Sequence, residues 1–100
     1  MQVTKEKKDN ALIVNVAGRL DANTAPSLEA EIAAELSNVT DVRFEIADLI
    51  YISSAGLRVL LTLHKAMAAK GGTFVIAHPC DEVMEILDMT GFSSFLVIEE

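Results

Sequence analysis

The chain has 100 residues, a formal net charge of −7 and a hydrophobic content of 51%, with few aromatic side chains. That length and composition predict one domain, 1–100, whose core is filled by aliphatic residues. The acidity argues against a nucleic-acid surface, which needs a basic patch, and against binding to an anionic membrane face.

The cysteine content and the N-terminus indicate the cellular compartment. Cys80 is the only cysteine, so an internal disulfide is impossible, which fits a reducing cytosol. Residues 1–8 lack the apolar core of a signal peptide. Arg58, His64 and Lys65 interrupt the longest apolar run before it reaches membrane-spanning length. We therefore expect a cytoplasmic protein.

In chain order, apolar residues recur with the periods of strands and helices. The predicted elements are a weak edge strand over 3–7, a strand over 11–17, a loop over 18–24, a helix from Pro26 to about 37, a strand over 41–46, a helix over 54–70, a strand over 73–77, a helix over 81–89 and a strand over 95–98. Helices that alternate with strands imply right-handed crossovers and a mostly parallel sheet. The prediction is a small α/β sandwich with an antiparallel N-terminal edge strand and three or more helices.

The segment that carries most information about function is 48–61, DLIYISSAGLRVLL. It begins as the end of an apolar strand, passes through two serines and an Ala-Gly pair, and becomes a strongly apolar helix. A serine at that junction lies where a helix presents unpaired backbone N–H groups. Its hydroxyl can be a helix cap, a nucleophile or a phosphorylation site, and the function depends on which.

Three segments resemble the STAS domain family, which includes the bacterial anti-sigma-factor antagonists. They are Gly18-Arg19-Leu20-Asp21 followed by Thr24-Ala25, Asp48-Leu49 through Ser53-Ser54-Ala55-Gly56-Leu57, and Leu87-Asp88-Met89-Thr90-Gly91-Phe92. The middle segment is the specific one. Together with the order of the elements, the resemblance covers nearly the whole chain and implies the STAS-like sandwich.

The resemblance also implies a partner and a switch. Family members of this type bind an anti-sigma factor that is also a serine kinase, and this binding frees the sigma factor. Phosphorylation of one serine at the start of the second helix abolishes binding, and a metal-dependent serine phosphatase restores it. By motif position that serine is Ser54. The family often has Asp immediately before it, and Ser53, which stands there, is the alternative site.

The candidate site residues each have a plain structural interpretation beside the functional one. Ser54 as a helix N-cap contributes about 1 kcal/mol. Asp21 and Asp48 match acidic positions of the family, and they are also suited to capping solvated turns. Gly56 allows close approach by a partner or by a strand, and Arg58 either pairs with a phosphate or a partner's acid or stays solvated. The predicted partner-binding residues are Asp21, Asp48, Ser53, Gly56 and Arg58.

A serine hydrolase is the enzyme alternative, and it needs a base beside the nucleophile. His64 is more than two helical turns from Ser54 on the same helix, and His78-Pro79-Cys80 matches no metal-ligand spacing. The chain has no Gly-rich phosphate loop, so we expect no enzyme activity, no metal and no cofactor. The second functional hypothesis is a STAS scaffold or adaptor that is never phosphorylated and serves a transport or signalling complex.

Overall fold

The computed structural model describes residues 1–100, which form a six-stranded sheet and three α-helices. The strands are β1 (Gln2–Lys8), β2 (Ala11–Leu20), β3 (Asp41–Glu45), β4 (Leu49–Ile52), β5 (Thr73–Ala77) and β6 (Val97–Glu99). The helices are α1 (Ala25–Ala33), α2 (Ser54–Ala69) and α3 (Asp81–Met89), with 3₁₀ turns at Leu36–Asn38 and Phe92–Ser94. None of the helices combines the length and the apolar character that crossing a bilayer requires.

The sheet has the order β1-β2-β3-β5-β6, and β4 pairs with the end of β2. β1 runs antiparallel to β2, and every other pair of neighbouring strands is parallel. The hairpin between β1 and β2 turns at Asp9, whose φ of 56° is one that Asp tolerates better than most residues. The predicted α/β sandwich, with its antiparallel N-terminal edge strand, is therefore confirmed.

The core lies on one face of the sheet, under the helices. On β2 the alternation is clear, because Leu12, Val14 and Val16 are buried while Asn15 is exposed. The helices bury the residues that face these strands: Ala25, Leu28 and Ile32 of α1, Leu57, Val59, Leu60, Leu63 and Met67 of α2, and Val83 and Leu87 of α3. No polar or charged residue is buried. Each fully buried Leu or Ile contributes about 1.5–3 kcal/mol, so this layer supplies most of the driving force for folding.

Three predicted boundaries are wrong in detail, and β4 was predicted only as the end of an apolar strand and not as a strand of its own. Residues 18–20 continue β2 where a loop was expected, because β4 extends the direction of β3 and offers them a new partner. The register shifts between Gly18 and Arg19, and Gly18 adopts a φ of 94°, which glycine reaches without strain. The first helix ends at Ala33 and a 3₁₀ turn follows. The last strand begins at Val97, since another 3₁₀ turn occupies 92–94.

The uncovered face of the sheet carries an ion network that ties β6 to the central strands. Arg43 on β3 places Nε 2.8 Å from Glu45 Oε1 and Nη2 2.8 Å from Glu99 Oε1. His78 Nδ1 lies 2.8 Å from the other oxygen of Glu45. Hydrogen bonding to Arg43, with help from His78, lowers the pKa of Glu45, and hydrogen bonding to Arg43 lowers the pKa of Glu99. The same two carboxylates raise the pKa of Arg43.

Replacing Arg43 by Gln should lower the free energy of unfolding by about 0.5–1 kcal/mol at pH 7, the range for partly screened surface pairs. Because the folded-state pKa values of Glu45 and Glu99 are lowered, their contribution is present above the unfolded-state pKa and is lost as the pH falls through the folded-state values. The difference between wild type and variant should therefore shrink at pH 3. Urea denaturation at the two pH values measures it. Lys8→Gln, an exposed β1 lysine outside the network, is the control, and a difference that does not change with pH would contradict the prediction.

Candidate functional site

The segment 48–61 lies where the carboxyl ends of β2 and β4 meet the N-terminus of α2. The Ser53 N–H donates to the Leu20 carbonyl at 2.9 Å, which continues the strand pairing up to the first helical residue. In open parallel sheets, the carboxyl ends of the strands form the edge at which binding sites occur. α3 begins near the other end of β4, where its preceding residue Cys80 donates its thiol to the Leu49 carbonyl at 3.2 Å.

The two serines of the junction have different roles. Ser53 is the N-cap of α2: its backbone is extended, with φ −93° and ψ 177°, and its hydroxyl accepts a hydrogen bond from the Gly56 N–H at 3.3 Å. Ser54 is the first helical residue, is exposed, and its hydroxyl makes no hydrogen bond within the chain. The interpretation of Ser54 as the cap is therefore wrong, because the chain leaves the extended conformation one residue earlier. The exposed hydroxyl is left without a structural task.

Gly56 lies inside the first turn of α2, facing the strands. A Cβ added there would lie 2.8 Å from Leu20 Cγ and from Ile52 Cγ1, and 2.9 Å from the Leu20 carbonyl oxygen. The helix start can approach the ends of β2 and β4 this closely only because position 56 has no side chain. Close approach by the chain's own strands accounts for the glycine, and its backbone is buried away from solvent.

Asp21 organises the loop that leads from β2 to α1. Its Oδ1 accepts hydrogen bonds from the Asn23 N–H at 3.0 Å and the Thr24 hydroxyl at 3.3 Å, and its backbone carbonyl accepts from the Ala25 N–H at 2.8 Å. This is the turn-capping role that the sequence allowed. Because Asp21 directly follows Leu20, which pairs with Ile52, its backbone lies beside the serine junction, while its carboxylate is engaged within its own loop.

Asp48 is placed apart from the serines. Its carbonyl accepts from the Gly18 N–H at 3.0 Å, at the start of the β2–β4 pairing, and its side chain is exposed. Since β4 separates it from Ser53, the two lie on the order of 15 Å apart at the rise of an extended chain. The structure therefore groups Asp21, Ser53 and Ser54 but leaves Asp48 at the other end of β4.

Arg58 lies on the exposed side of α2, one turn after Ser54. It lines a groove of about 290 Å³ between α1 and α2 together with Glu29. The rest of the lining is small or aliphatic: Ala22, Ala25, Pro26, Ala55 and Val59. This groove opens directly beside the serine junction, since Ala55 belongs to both.

The sequence interpretation missed two exposed features of the same edge. The Arg19 guanidinium lies 4.3 Å from the centre of the Tyr51 ring, and Ile50 is 61% exposed. Arg19 and Tyr51 are register partners, a fact that follows only once residues 18–20 are known to pair with β4. Ile50 lies within the apolar run 49–52, so the sequence alone did not show that it is exposed while Leu49 and Ile52 are buried.

The chemistry available at Ser54 is that of an unactivated hydroxyl. His64 packs against Phe95, with ring centres 5.4 Å apart, and His78 pairs with Glu45 on the uncovered face of the sheet. Neither imidazole can serve Ser54 as a base. No three His, Cys, Asp or Glu side chains converge on a point where they could hold a metal ion. The site presents a hydroxyl that can be modified, without the groups that would make it attack a substrate.

Comparison with known proteins agrees with this architecture. The STAS domain model matches residues 2–100. BtrV of Bordetella bronchiseptica, which is named as an anti-sigma factor antagonist, is 34% identical over 99 residues, covering 98% of this chain and 85% of the relative. Among solved structures, a protein of Thermotoga maritima described as an anti-sigma factor antagonist superimposes with a TM-score of 0.91 at 19% identity, covering 98% of this chain and 86% of that one. The phosphorylated form of SpoIIAA from Bacillus superimposes with a TM-score of 0.78 at 16% identity, covering 99% and 92%.

The two serines should respond differently to alanine. Ser53→Ala removes the hydroxyl that caps α2 and should lower the free energy of unfolding by about 1 kcal/mol. Ser54→Ala removes an exposed hydroxyl that makes no hydrogen bond and should change the free energy of unfolding by less than about 0.5 kcal/mol. Chemical denaturation of both variants beside wild type measures the difference. Equal effects, or a larger effect at Ser54, would show that the cap has been assigned to the wrong residue.

Gly56→Ala should lower the free energy of unfolding by about 1–3 kcal/mol, because the new methyl group would overlap Leu20 and Ile52 and push α2 away from the sheet. The neighbouring change Ala55→Gly is the matched control, since it removes a methyl group from the same helical turn. Its expected cost is near 1 kcal/mol from helix propensity alone. Thermal and urea denaturation distinguish the two, and a Gly56→Ala protein as stable as wild type would refute the packing argument.

Proposed function

The chain belongs to the STAS domain family, and from that membership we propose that it is an anti-sigma-factor antagonist switched by phosphorylation of Ser54. Unmodified, it binds an anti-sigma factor that is also a serine kinase, and the sigma factor is released. The kinase transfers the terminal phosphoryl group of ATP to Ser54 Oγ, which ends binding. A metal-dependent serine phosphatase hydrolyses the phosphoserine and restores it. These events take place in the cytoplasm.

One observation carries the choice of residue: the Ser54 hydroxyl is exposed and unengaged at the first position of α2. A kinase needs a hydroxyl that it can reach and that the fold does not use. Ser53 fails the second requirement, because its hydroxyl oxygen is already engaged by the Gly56 N–H as the cap of α2. Ser54 can be modified and restored repeatedly while α2 keeps its cap.

Electrostatics explains how a phosphate at this position could switch binding without unfolding the domain. At the helix N-terminus it gains about 0.3–1 kcal/mol from the dipole, so the free protein tolerates it. A partner that covered it would have to bury a charge of about −1.5 to −2. Moving a complex from mostly bound to mostly free requires about 5.5 kcal/mol of differential affinity, and desolvation of an unpaired phosphate is of that order.

The partner surface that we propose is centred on the exposed part of the junction. Asp21 and Arg58 contribute charge, Ser54 contributes the switch, and the exposed Ile50 contributes an apolar contact. Gly56 and Ser53 act indirectly by holding the start of α2 in place. The lack of a base at Ser54 supports a binding module rather than a hydrolase.

Phosphorylation should occur at Ser54. Wild type, Ser53→Ala and Ser54→Ala are each incubated with the kinase and ATP, and the sites are mapped by mass spectrometry. We expect wild type and Ser53→Ala to take up one phosphate and Ser54→Ala to take up none. Full phosphorylation of Ser54→Ala would place the switch elsewhere. Stable binding to a transport complex with no phosphate in any variant would favour the scaffold function instead.

Ser54→Asp should weaken the complex with the anti-sigma factor by at least about tenfold, because it places a charge where the partner would bury it. Isothermal titration calorimetry measures the affinity. Ser37→Asp is the control, since it adds the same charge in the exposed 3₁₀ turn that precedes β3, outside the proposed surface. Equal affinities for Ser54→Asp and Ser37→Asp would contradict the charge mechanism.

A further inference from the structure

Within α2, Arg58 is the cation best placed to meet a charge on Ser54. The two residues are four apart on α2, a spacing that puts their side chains on the same face, about 5–6 Å apart at Cβ. The acidic group would be N-terminal to the cation, which is the favourable orientation for such a pair. The only other cation within α2, Lys65, lies eleven residues from Ser54, or about 16 Å along the axis.

The Arg58 side chain has no partner in the unmodified protein. The residues of α2 include no Asp or Glu, so no intrahelical ion pair is available to it. Glu29 of α1 lines the same groove but forms no ion pair with Arg58. Asp21, in the loop before α1, is engaged by its own loop and faces Arg19. The guanidinium is therefore free to bind an incoming anion.

We infer that Arg58 is the intramolecular partner of the Ser54 phosphate, and this rests on the phosphorylation proposed above. The planar guanidinium binds phosphate oxygens with two parallel hydrogen bonds, which a lysine cannot do. When it turns toward position 54 it leaves the groove, so that Glu29 remains there without a neighbouring cation. Phosphorylation then changes the charge of this surface at two places, the serine and the groove.

The pairing can be measured without the kinase. Phosphoserine is incorporated genetically at position 54, and the second pKa of the phosphate is read from a ³¹P NMR titration. A nearby cation favours the doubly charged phosphate, so the pKa should be higher in Arg58→Gln than in wild type by about 0.2–0.4 units, the size expected for an i,i+4 ion pair. The Arg58 Nε–Hε resonance of the wild type should shift with the same midpoint as the phosphorus signal.

Two further variants separate pairing from a general effect of charge. Lys65→Gln removes the same charge from the same helix at a distance, and it should leave the phosphate pKa unchanged. In Arg58→Lys the phosphate pKa should be lowered nearly as much as in wild type. In 0.5 M salt the difference in phosphate pKa between wild type and Arg58→Gln should become smaller. The helix dipole acts equally on all of these proteins, so it cancels in the comparison.

The outcomes are distinct. Equal phosphate pKa values in wild type and Arg58→Gln, or an equal increase in Lys65→Gln, would overturn the inference even if Ser54 is the site that the kinase uses. A shift confined to Arg58→Gln supports it. Should the kinase leave Ser54 unmodified in the mapping experiment, the proposed function fails while the measured pairing stands, so the two failures cannot be confused.

Discussion

The close approach of α2 to the ends of β2 and β4 at Gly56 is the constraint on which the site depends. The helix can start beside Leu20 and Ile52 only because no Cβ occupies the space between them. That contact sets the depth and the rotation of the first turn, and the rotation decides which side chains face the sheet. Leu57 and Leu60 point into the core, so Ser54 and Arg58 must point out. A hydroxyl and a guanidinium therefore appear together on the exposed surface because a glycine is buried beneath them.

The different roles of Ser53 and Ser54 follow from the same contact of α2 with Leu20 and Ile52. With the helix docked, the last extended residue is Ser53, and its hydroxyl satisfies the Gly56 N–H. A helix cap requires a hydrogen bond that is always present, whereas a phosphorylation site requires a side chain whose modification leaves the fold unchanged. Two adjacent serines meet both demands without compromise, since the cap remains in place whichever state its neighbour is in.

Sequence patterns predicted the elements well and their junctions poorly, for a physical reason. The alternation in 11–17 and the helical spacing in 54–70 report burial, which is decided by many residues together. The continuation of β2 through Leu20 depends on a partner, β4, and on a register shift at Gly18 that no local pattern encodes. The cap was assigned one residue too late because both serines have the right chemistry, and only the backbone angles of Ser53 distinguish them. Asp48 was selected because it matches an acidic position of the family, but the extended strand β4 places it well away from the serines in space.

The distribution of charge around α2 determines in which direction the proposed phosphorylation of Ser54 would shift binding. The chain as a whole has a net charge of −7, yet α2 contains no acid, begins with the positive end of its dipole and carries Arg58 one turn later. The start of α2 is therefore a place in an acidic protein where an added phosphate meets favourable fields. In the free protein the modification is therefore stabilised locally. In a complex the same fields must compensate for removing the phosphate from water, and a dipole and one surface arginine are too weak for that. Modification consequently favours the separated protein, and the preference grows with the depth to which the partner covers the junction.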